Sequence, residues 1–386
     1  MTGTSHAKDP AFTIGIEEEY LLVSKDTRDL VVDPPEDLLD DCAGSPAGSV
    51  SPEFLRSQIE VGTRICATVR EARESLAEMR GVVAHAAGQH GLAPIAASTH
   101  PFAQWSDQRH TEKERYTILA RDLQGVARRL LICGTHVHVG VEDPDLRIDL
   151  MAQVAYFLPH LLALSTSSPF WRGVDTGLKS YRISVFNELP RTGLPEHFQS
   201  WGEYQRHVNV LVAAGLIEDG SKLWWDVRPS ARFDTLEMRI TDVCTNVDDA
   251  AAIAALYVCV LRMLWRLRRA NQRWRLYAHM LVMENRWRAQ RYGFDEGLVD
   301  FGKGTTVPYA DLLNELLDLT AEDAAALNCE AEVAHCRHIL TRGTSAHRQL
   351  ATFRAAVAAG ATQEEALRQV VDFLIAETVA GVDLPT

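Results

Sequence analysis

Three adjacent carboxylates, Glu17, Glu18 and Glu19, interrupt a stretch of residues 12–23 that otherwise has the apolar character of a buried β-strand. Because side chains alternate along a strand, Glu17 and Glu19 share one face and Glu18 lies on the other. Charged carboxylates are seldom buried without a partner or a metal ion. The pattern therefore allows two interpretations: an edge strand whose acids lie in water, or one wall of a site that binds a divalent cation through oxygen atoms.

A second alternating segment, residues 135–141, places His136 and His138 on one face, and Gly140 leaves space beside them. Two histidines on one strand face suit a metal or phosphate site. They also suit a structural role in which both rings are half-buried and bond to backbone carbonyls. The segment by itself leaves both alternatives open.

A third segment, residues 235–241, places Glu237 and Arg239 on a polar face opposite apolar side chains. The two residues form either a simple ion pair or a metal ligand beside an arginine whose planar fork binds phosphate. Residues 57–62 show the same arrangement on a smaller scale around Glu60. Strands that each carry acids, histidine or arginine on one face predict a sheet whose concave face is a polar, metal-binding cleft.

The order of the elements predicts an α+β fold. Strands dominate the first half, with helices at residues 68–90 and about 111–130, and helices dominate from Asp248 onward, where Thr320 and Thr362 are predicted N-caps. We therefore expect a curved, mainly antiparallel sheet that is backed by helices, with a helical C-terminal third. We expect one catalytic domain over residues 12–376, with tails at 1–11 and 377–386.

Charge and composition limit the partners. A net charge of −13 argues against nucleic acid or an anionic membrane as the main partner. The longest apolar run, residues 250–261, is shorter than the ~20 residues of a membrane-spanning helix, and the first residues lack the apolar stretch of a secretion signal. Seven cysteines without a C-x-x-C pair fit a reduced compartment. These features predict a cytoplasmic protein.

A loop-like stretch between the histidine strand and the Glu237 strand is rich in aromatic and basic residues. Residues 168–182 and 190–193 mix glycine and proline with tryptophan, tyrosine and four cations, a composition typical of a lid over an anionic substrate. The residues predicted to contact that substrate are Trp171, Tyr181, Arg182 and Arg191.

Taken together, these motifs resemble the carboxylate-amine ligase family, the bacterial type 2 glutamate-cysteine ligase group of the glutamine synthetase-like superfamily. The matching segments follow one another along nearly the whole chain: GIEEEY, SQIEVGTRIC, CGTHVHVGV, SPFWRGVDTG, PRTGLP, WWDVRPS, TLEMRITDVC and ENRWRAQRYG. The resemblance implies an ATP-dependent ligase that phosphorylates the γ-carboxylate of glutamate and lets an amine, cysteine or another small amine, displace the phosphate. It also suggests a homodimer.

The resemblance further implies roles for particular residues. It implies that Mg²⁺ or Mn²⁺ is bound by the strand acids and one histidine, namely Glu17, Glu19, Glu60, His138 and Glu237. Arg239 is expected to face the phosphates of ATP, with His138 near them, and Arg182 and Arg191 to lie in the substrate loop. Arg348 belongs to a segment that resembles a nucleotide-binding turn but has Ser345 where glycine is common. Catalysis is expected to rest on Arg239, Glu237 and Arg182.

Two rival functions use the same residues. A metal-dependent amidohydrolase could use His136 and His138 as its first ligand pair, but such a barrel needs strict alternation of parallel strands and helices. A catalytically silent binding protein on the ligase scaffold would be favoured if a metal-binding acid were replaced, and none is. Residues 297–304 spell G-x-x-x-x-G-K, but glycine follows the lysine and no strand precedes it, so we reject a P-loop.

Overall fold

The structure is a computed structural model that describes residues 9–384 except 114–115, 117–120 and 122. Seven of the twenty residues of the basic helix predicted around residues 111–130 fall in this gap. Its central part lies outside the described residues, and only a short helix, Gly125–Arg128, is seen near its end.

One large antiparallel sheet forms the centre of the molecule. Its strand order is β10-β11-β5-β1-β3-β2, and β4 also pairs with β1. Three small two-stranded pairs, β6-β7, β8-β9 and β12-β13, lie outside it. The strands are β1 (Ile14–Ser24), β2 (Gly48–Pro52), β3 (Gln58–Thr63), β4 (Leu92–Ile95), β5 (Thr135–Gly140), β6 (Phe170–Trp171), β7 (Val174–Asp175), β8 (Thr192–Gly193), β9 (Trp224–Trp225), β10 (Val227–Pro229), β11 (Thr235–Met238), β12 (Leu298–Asp300) and β13 (Thr305–Val307).

Helices cover one side of the sheet and make up nearly all of the C-terminal third, which confirms the predicted α+β class. They are α1 (Leu38–Asp41), α2 (Val69–Gln89), α3 (Gly125–Arg128), α4 (Pro144–Val154), α5 (Leu158–Ser165), α6 (Tyr181–Phe186), α7 (Trp201–Ala213), α8 (Val247–Arg269), α9 (His279–Tyr292), α10 (Tyr309–Leu327), α11 (Glu330–Arg342), α12 (Ser345–Ala358) and α13 (Gln363–Thr378).

Helix α8 is the central helix of the core and packs against α2, α10 and α11. Within the described chain it is the single helix long and apolar enough to cross a bilayer, but 78% of its apolar window is buried inside the protein. Helices α4 and α5 pass the same test only as a pair, and they bend by 67° at their junction. Burial on all sides explains the apolar sequence of α8, because a core helix needs no polar face.

Two predicted helix starts have different outcomes. Thr362 caps α13, and Glu365 completes the capping box, as the sequence indicates. The prediction for Thr320 is wrong, since this residue lies inside α10 and its hydroxyl donates to the carbonyl of Leu316, one turn earlier. A threonine can satisfy its hydroxyl in this way within a helix, so the residue type alone does not mark a start.

Strand β1 alternates as its sequence predicts. Glu18 points away from Glu17 and Glu19 and is fully buried against Arg80 of α2. Arg80 donates to both carboxylate oxygens of Glu18 at 2.8–3.0 Å, and Tyr20 donates to one of them at 2.6 Å. The rest of the Arg80 guanidinium donates to backbone carbonyls of Cys244, Thr245 and Thr378. This pair therefore connects the sheet to α2 and to the C-terminal region.

Removal of Arg80 should strongly destabilise the fold. Arg80→Ala leaves the Glu18 carboxylate buried without a partner, and breaking a buried ion pair on one side costs about 3–5 kcal/mol. We expect a loss of this size in the free energy of unfolding, measured by urea denaturation. Arg368→Ala, which breaks the exposed pair with Glu364, should change it by less than about 1 kcal/mol. Equal effects of the two variants would contradict this account.

Candidate active site

A cleft of about 440 Å³ lies over the face of the sheet that carries Glu17 and Glu19. Adjacent strands supply its floor, because antiparallel pairing places Glu17 opposite His136 and Glu237 opposite His138. Polar residues predicted from the sequence meet there: Glu17, Glu19, Glu60, His136, His138, Arg182, Glu237 and Arg239. The expected polar cleft is therefore present.

Glu17, His138 and Glu237 form the first potential metal site, with one ligand atom from each within 4.8 Å of the others. Nε2 of His138 lies 3.4 Å from Glu17, and Nδ1 of His136 lies 3.5 Å from its other oxygen. Burial would raise the pKa of Glu17, but the two histidines outweigh it and lower that pKa. Burial and the charge of Arg239 lower the pKa of His136 to about 4, so this ring is neutral at pH 7.

Glu19, Glu53 and Glu60 form the second potential metal site. Glu19 and Glu60 are register partners on β1 and β3. Burial and the charge of Glu60 raise the pKa of Glu19 to about 7, and burial with the charges of Glu53 and Glu17 raises the pKa of Glu60 to about 8. The raised pKa values of Glu19 and Glu60 show that the positive charge near these two buried carboxyls is too small to keep both ionised at neutral pH.

A hard divalent cation fits both groups. The second group offers only carboxylate oxygens, and the first offers two carboxylates and one imidazole, a donor set typical of Mg²⁺ or Mn²⁺. In addition, Nε2 of His138 is buried and has no hydrogen-bond partner among the described residues. The side chains of these two groups therefore match the ligands of a metal site. No cysteine is among the described lining residues.

Glu237 lies between two guanidiniums. Arg228 of β10 donates to both of its oxygens at 2.9 and 3.1 Å, and Arg239 donates to Oε1. Burial would raise the pKa of Glu237, but the charges of Arg239 and Arg228 lower it. Arg239 pairs with Glu237 and also lines the cleft, with its Nη1 3.5 Å from Nδ1 of His136, so its role in binding phosphate stays a prediction.

Strand β11 ends at Met238, and Arg239 is the first residue after it. The backbone N–H groups of Arg239 and Ile240 both donate to the carbonyl of Asp226, which ends the regular ladder. Arg182 approaches the same turn from α6 and donates to the carbonyls of Arg239 and Ile240 at 3.1 Å. Gly134 makes room for it, since a Cβ at that position would lie 2.3 Å from Nη2 of Arg182.

Four predicted site residues do not line the cleft in the described structure. Trp171 and Tyr181 contact each other, with ring centroids 5.2 Å apart. Arg191 donates to the carbonyl of Lys222 and lies over the ring of Trp224, so it contacts a residue of the lining rather than the cleft itself. The cleft lining does not include these side chains, and their predicted contacts with the substrate stay predictions.

Arg348 also lies elsewhere. It forms an ion pair with both oxygens of Glu377 on α13 and lies over the ring of Phe373. Its charge is therefore already neutralised within the helical C-terminal part, and its position gives no support to a nucleotide contact.

The segment predicted as a lid is largely fixed to the protein. It forms the β6-β7 hairpin and then α6. Two of its cations have other partners, since Arg172 donates to Gln104 and Lys179 to Asp295, each at 2.7 Å. Of its cations, Arg182 reaches the cleft.

Several residues of the cleft have no assigned role in the sequence prediction, although residues 222–229 combine tryptophan with basic residues as the predicted lid does. Arg228 could have been found from the strand order, because β10 pairs with β11 and places Arg228 opposite Glu237. Glu53 follows β2 in a loop, where no periodic pattern marks it. Trp224 and Phe233 also line the cleft, together with Lys113 and Lys222 near its rim.

Thr235 fixes the orientation of His138. Its hydroxyl lies 2.9 Å from Nδ1 of the ring, on the side away from Glu17. When that hydroxyl accepts a hydrogen bond from Nδ1–H, the lone pair of the ring lies on Nε2, where a metal ion can bind it. Metal-binding histidines commonly have a hydrogen-bond partner on the other ring nitrogen that fixes the tautomer in this way.

Comparison with solved structures shows the same fold. Glutamate–cysteine ligase from Francisella tularensis, solved in complex with AMP, matches with a TM-score of 0.69 at 12% identity, over 97% of this chain and 90% of that one. A bifunctional glutathione synthetase from Pasteurella multocida matches with a TM-score of 0.67 at 16% identity, over 95% of this chain. The chain spans 52% of the length of that protein. This likeness confirms the α+β fold that the sequence predicts, an antiparallel sheet backed by helices.

Family membership identifies the chain as an ATP-dependent carboxylate–amine ligase. The model of glutamate–cysteine ligase family 2 matches residues 13–372, and the chain belongs to that family. A relative from Rhodospirillum rubrum, provisionally named glutamate–cysteine ligase 2, is 66% identical over 97% of each chain. A relative from Jannaschia with the same provisional name is 55% identical over 95% of this chain and 97% of its own.

The position of Thr235 leads to a prediction about metal binding. Thr235→Val removes the hydroxyl and should weaken Mn²⁺ binding about 10- to 100-fold, the usual effect of losing the partner of a metal-binding histidine. Electron paramagnetic resonance of free Mn²⁺ during a titration measures this. Thr235→Ser keeps the hydroxyl and should bind nearly as the parent does. Unchanged binding by the valine variant would show that the contact has no such role.

Proposed function

We propose that the protein joins the γ-carboxylate of glutamate to an amine at the expense of ATP, through an acyl phosphate, and releases ADP and phosphate. The observation that carries the proposal is the pair of acidic groups on one sheet face with Arg239 near both. The described lining contains no cysteine. A site of acids and guanidiniums suits phosphoryl transfer, which needs positioning and charge stabilisation more than a protein nucleophile.

Two metal positions are proposed. Glu17, His138 and Glu237 would hold one ion, and Glu19 and Glu60, together with Glu53, would hold another. When bound, Mg²⁺ or Mn²⁺ neutralises the negative charge of the ATP phosphates. The charge of the cation would also offset the burial and the mutual repulsion that raise the pKa values of Glu19 and Glu60.

The guanidiniums act on the substrates. Arg239 presents N–H groups to the transferred phosphoryl group, and Arg228 keeps Glu237 charged and oriented beside it. Arg182, fixed by two backbone carbonyls, is proposed to orient a substrate carboxylate. A carboxylate oxygen of glutamate attacks the γ-phosphorus and ADP leaves. The amine nitrogen then attacks the acyl carbon, phosphate leaves, and the amine loses a proton.

The amine acceptor binds, in this proposal, near the apolar wall of the cleft. Ile132, Phe186, Leu189 and Trp224 line that wall, which suits a small acceptor with an apolar or thiol-bearing side chain. The name of the relatives points to cysteine, and another small amine would fit the same wall. We propose a single catalytic domain over residues 12–376 in a cytoplasmic enzyme. All seven cysteines are free and buried.

The rival functions lose support. An amidohydrolase barrel has parallel strands, whereas β5, which carries His136 and His138, pairs antiparallel with both β1 and β11. A silent binding protein would have no need for a complete set of acids around Arg239.

Trapping of the intermediate tests the reaction. With ATP, Mg²⁺ and glutamate, hydroxylamine should convert an acyl phosphate to the γ-glutamyl hydroxamate, and ADP should be released in equal amount. Mass spectrometry identifies the hydroxamate and chromatography the nucleotide. Release of AMP and pyrophosphate instead would indicate adenylation and overturn the proposed intermediate.

Metal removal provides the control for that experiment. EDTA should abolish both hydroxamate and ADP formation, and Mg²⁺ or Mn²⁺ should restore them. Full activity in EDTA would contradict the metal sites. The same assay with a panel of amines in place of hydroxylamine identifies the acceptor.

Arg239→Lys separates a phosphate clamp from a simple ion pair. Lysine keeps the charge beside Glu237 but not the planar fork, so kcat should fall about a hundredfold or more, the scale seen when one preorganised donor is lost. The thermal midpoint should change little. Arg228→Lys is the matched control, since it alters the other guanidinium on the same carboxylate. Near-normal kcat in folded Arg239→Lys, or equal losses in both variants, would assign Arg239 to the ion pair alone.

A further inference from the structure

Asp242 is a fully buried carboxylate that does not belong to the described lining of the cleft. Its oxygens accept three hydrogen bonds, all at 2.8 Å, from the backbone N–H of Ser167 and from the hydroxyls of Ser168 and Ser180. Among the described residues, no basic side chain forms an ion pair with it. Since a buried carboxylate is costly unless donors stabilise its charge, these three hydrogen bonds hold Asp242 in place.

The three donors come from two segments that meet at the start of α6. Ser167 and Ser168 follow α5, and Ser180 directly precedes α6. A serine hydroxyl can donate and accept at the same time. Ser168 donates to Asp242, and its oxygen accepts a hydrogen bond from the backbone N–H of Arg182 at 3.1 Å. Asp242 therefore fixes the backbone of Arg182 through one intervening hydroxyl.

The guanidinium of Arg182 depends on the same short segment of the chain. It donates to the carbonyls of Arg239 and Ile240, which precede Asp242 by three and two residues. Residues 239–242 thus hold both ends of Arg182. The backbone carbonyls hold its guanidinium, and the hydrogen bonds of Asp242 hold its main chain.

Charge also links Asp242 to Arg182. Burial lowers the pKa of Arg182, and the charge of Asp242 is the largest of the influences that oppose this. Burial likewise raises the pKa of Asp242, and the charge of Arg182 opposes that rise. No ion pair joins the two side chains in the described part of the chain. The carboxylate therefore stabilises the charge of Arg182 without occupying the N–H groups that a substrate carboxylate would need.

We infer that Asp242 is a positioning residue for Arg182 and, through it, for a carboxylate of glutamate. The inference rests on the proposed function, in which Arg182 orients a substrate carboxylate. A guanidinium binds a carboxylate through two parallel N–H···O bonds, so its orientation determines where the acid lies. Supporting hydrogen bonds of this kind keep the groups of a site within about 0.5 Å of the productive geometry.

Glutamate kinetics distinguish positioning from a purely structural role. Asp242→Asn removes the charge but keeps the size, and its amide nitrogen cannot accept the hydrogen bonds that a carboxylate oxygen accepts. The KM for glutamate should rise about tenfold or more in the hydroxamate assay, the effect of weakening one hydrogen bond to a charged group. The KM for ATP and kcat should change much less, because the contact with Arg182 is common to the ground state and the transition state.

Asp323→Asn is the matched control. Asp323 is also fully buried and binds Arg262 and Arg266, but it lies on α10 and outside the described cleft lining. This variant should lower the thermal midpoint and leave the KM for glutamate at the value of the parent. An unchanged KM for glutamate in folded Asp242→Asn would overturn the inference, as would an equal rise of that KM in both variants.

A second variant isolates the link between Asp242 and Arg182. Ser168→Ala keeps the carboxylate but removes the hydroxyl that connects it to the backbone of Arg182. The KM for glutamate should rise in this variant too, and an unchanged value would overturn the inference. If Asp242→Asn fails to fold, Ser168→Ala takes its place in every measurement.

Crystal structures of the parent and of Asp242→Asn test the inference without any substrate. In the variant, the guanidinium of Arg182 should move away from the carbonyls of Arg239 and Ile240. An Arg182 that keeps the position of the parent would overturn the inference. A parent that forms no hydroxamate from glutamate would contradict the proposed function instead, and the two crystal structures would still decide the role of Asp242.

Discussion

The ion pair between Glu18 and Arg80 determines how the rest of the site is arranged. Because side chains alternate along β1, a slip of one residue would send Glu18 into the cleft and Glu17 and Glu19 into the core. Arg80 prevents this, since it occupies the core side and binds Glu18 together with backbone carbonyls from the C-terminal half. The same contact therefore fixes the register of the strand and selects which acids face the substrates.

Much of the site could be predicted from the sequence because it is encoded in local alternation. Glu17, Glu19, His138, Glu237 and Arg239 each lie on a segment whose polar and apolar residues alternate, so their common face follows from strand geometry alone. Arg228, Glu53 and Thr235 could not be found in this way. Their importance depends on which strand pairs with which, and a single sequence does not contain that information.

The errors have equally physical causes. Arg348 was assigned from a segment that resembles a nucleotide-binding turn, and the cations of the predicted lid were assigned from composition. Neither signal shows whether a nearby acid already pairs with the cation. Glu377 pairs with Arg348 and Asp295 with Lys179. Thr320 was misplaced because a threonine hydroxyl can bond to a carbonyl one turn earlier and remain inside a helix.

Strand β1 has hydrogen-bonded neighbours on both sides, whereas the apolar wall of the cleft is formed largely by short segments such as β9 and the end of α6. The acids therefore lie on the central sheet, where substitutions are tolerated least. The apolar wall lies on short connecting segments, which tolerate substitutions better. Under the proposed function, descendants of one ancestral enzyme could exchange residues along that wall and accept new amines while the proposed phosphoryl chemistry stayed the same. Substrate range and reaction type would then evolve at different rates within a single domain.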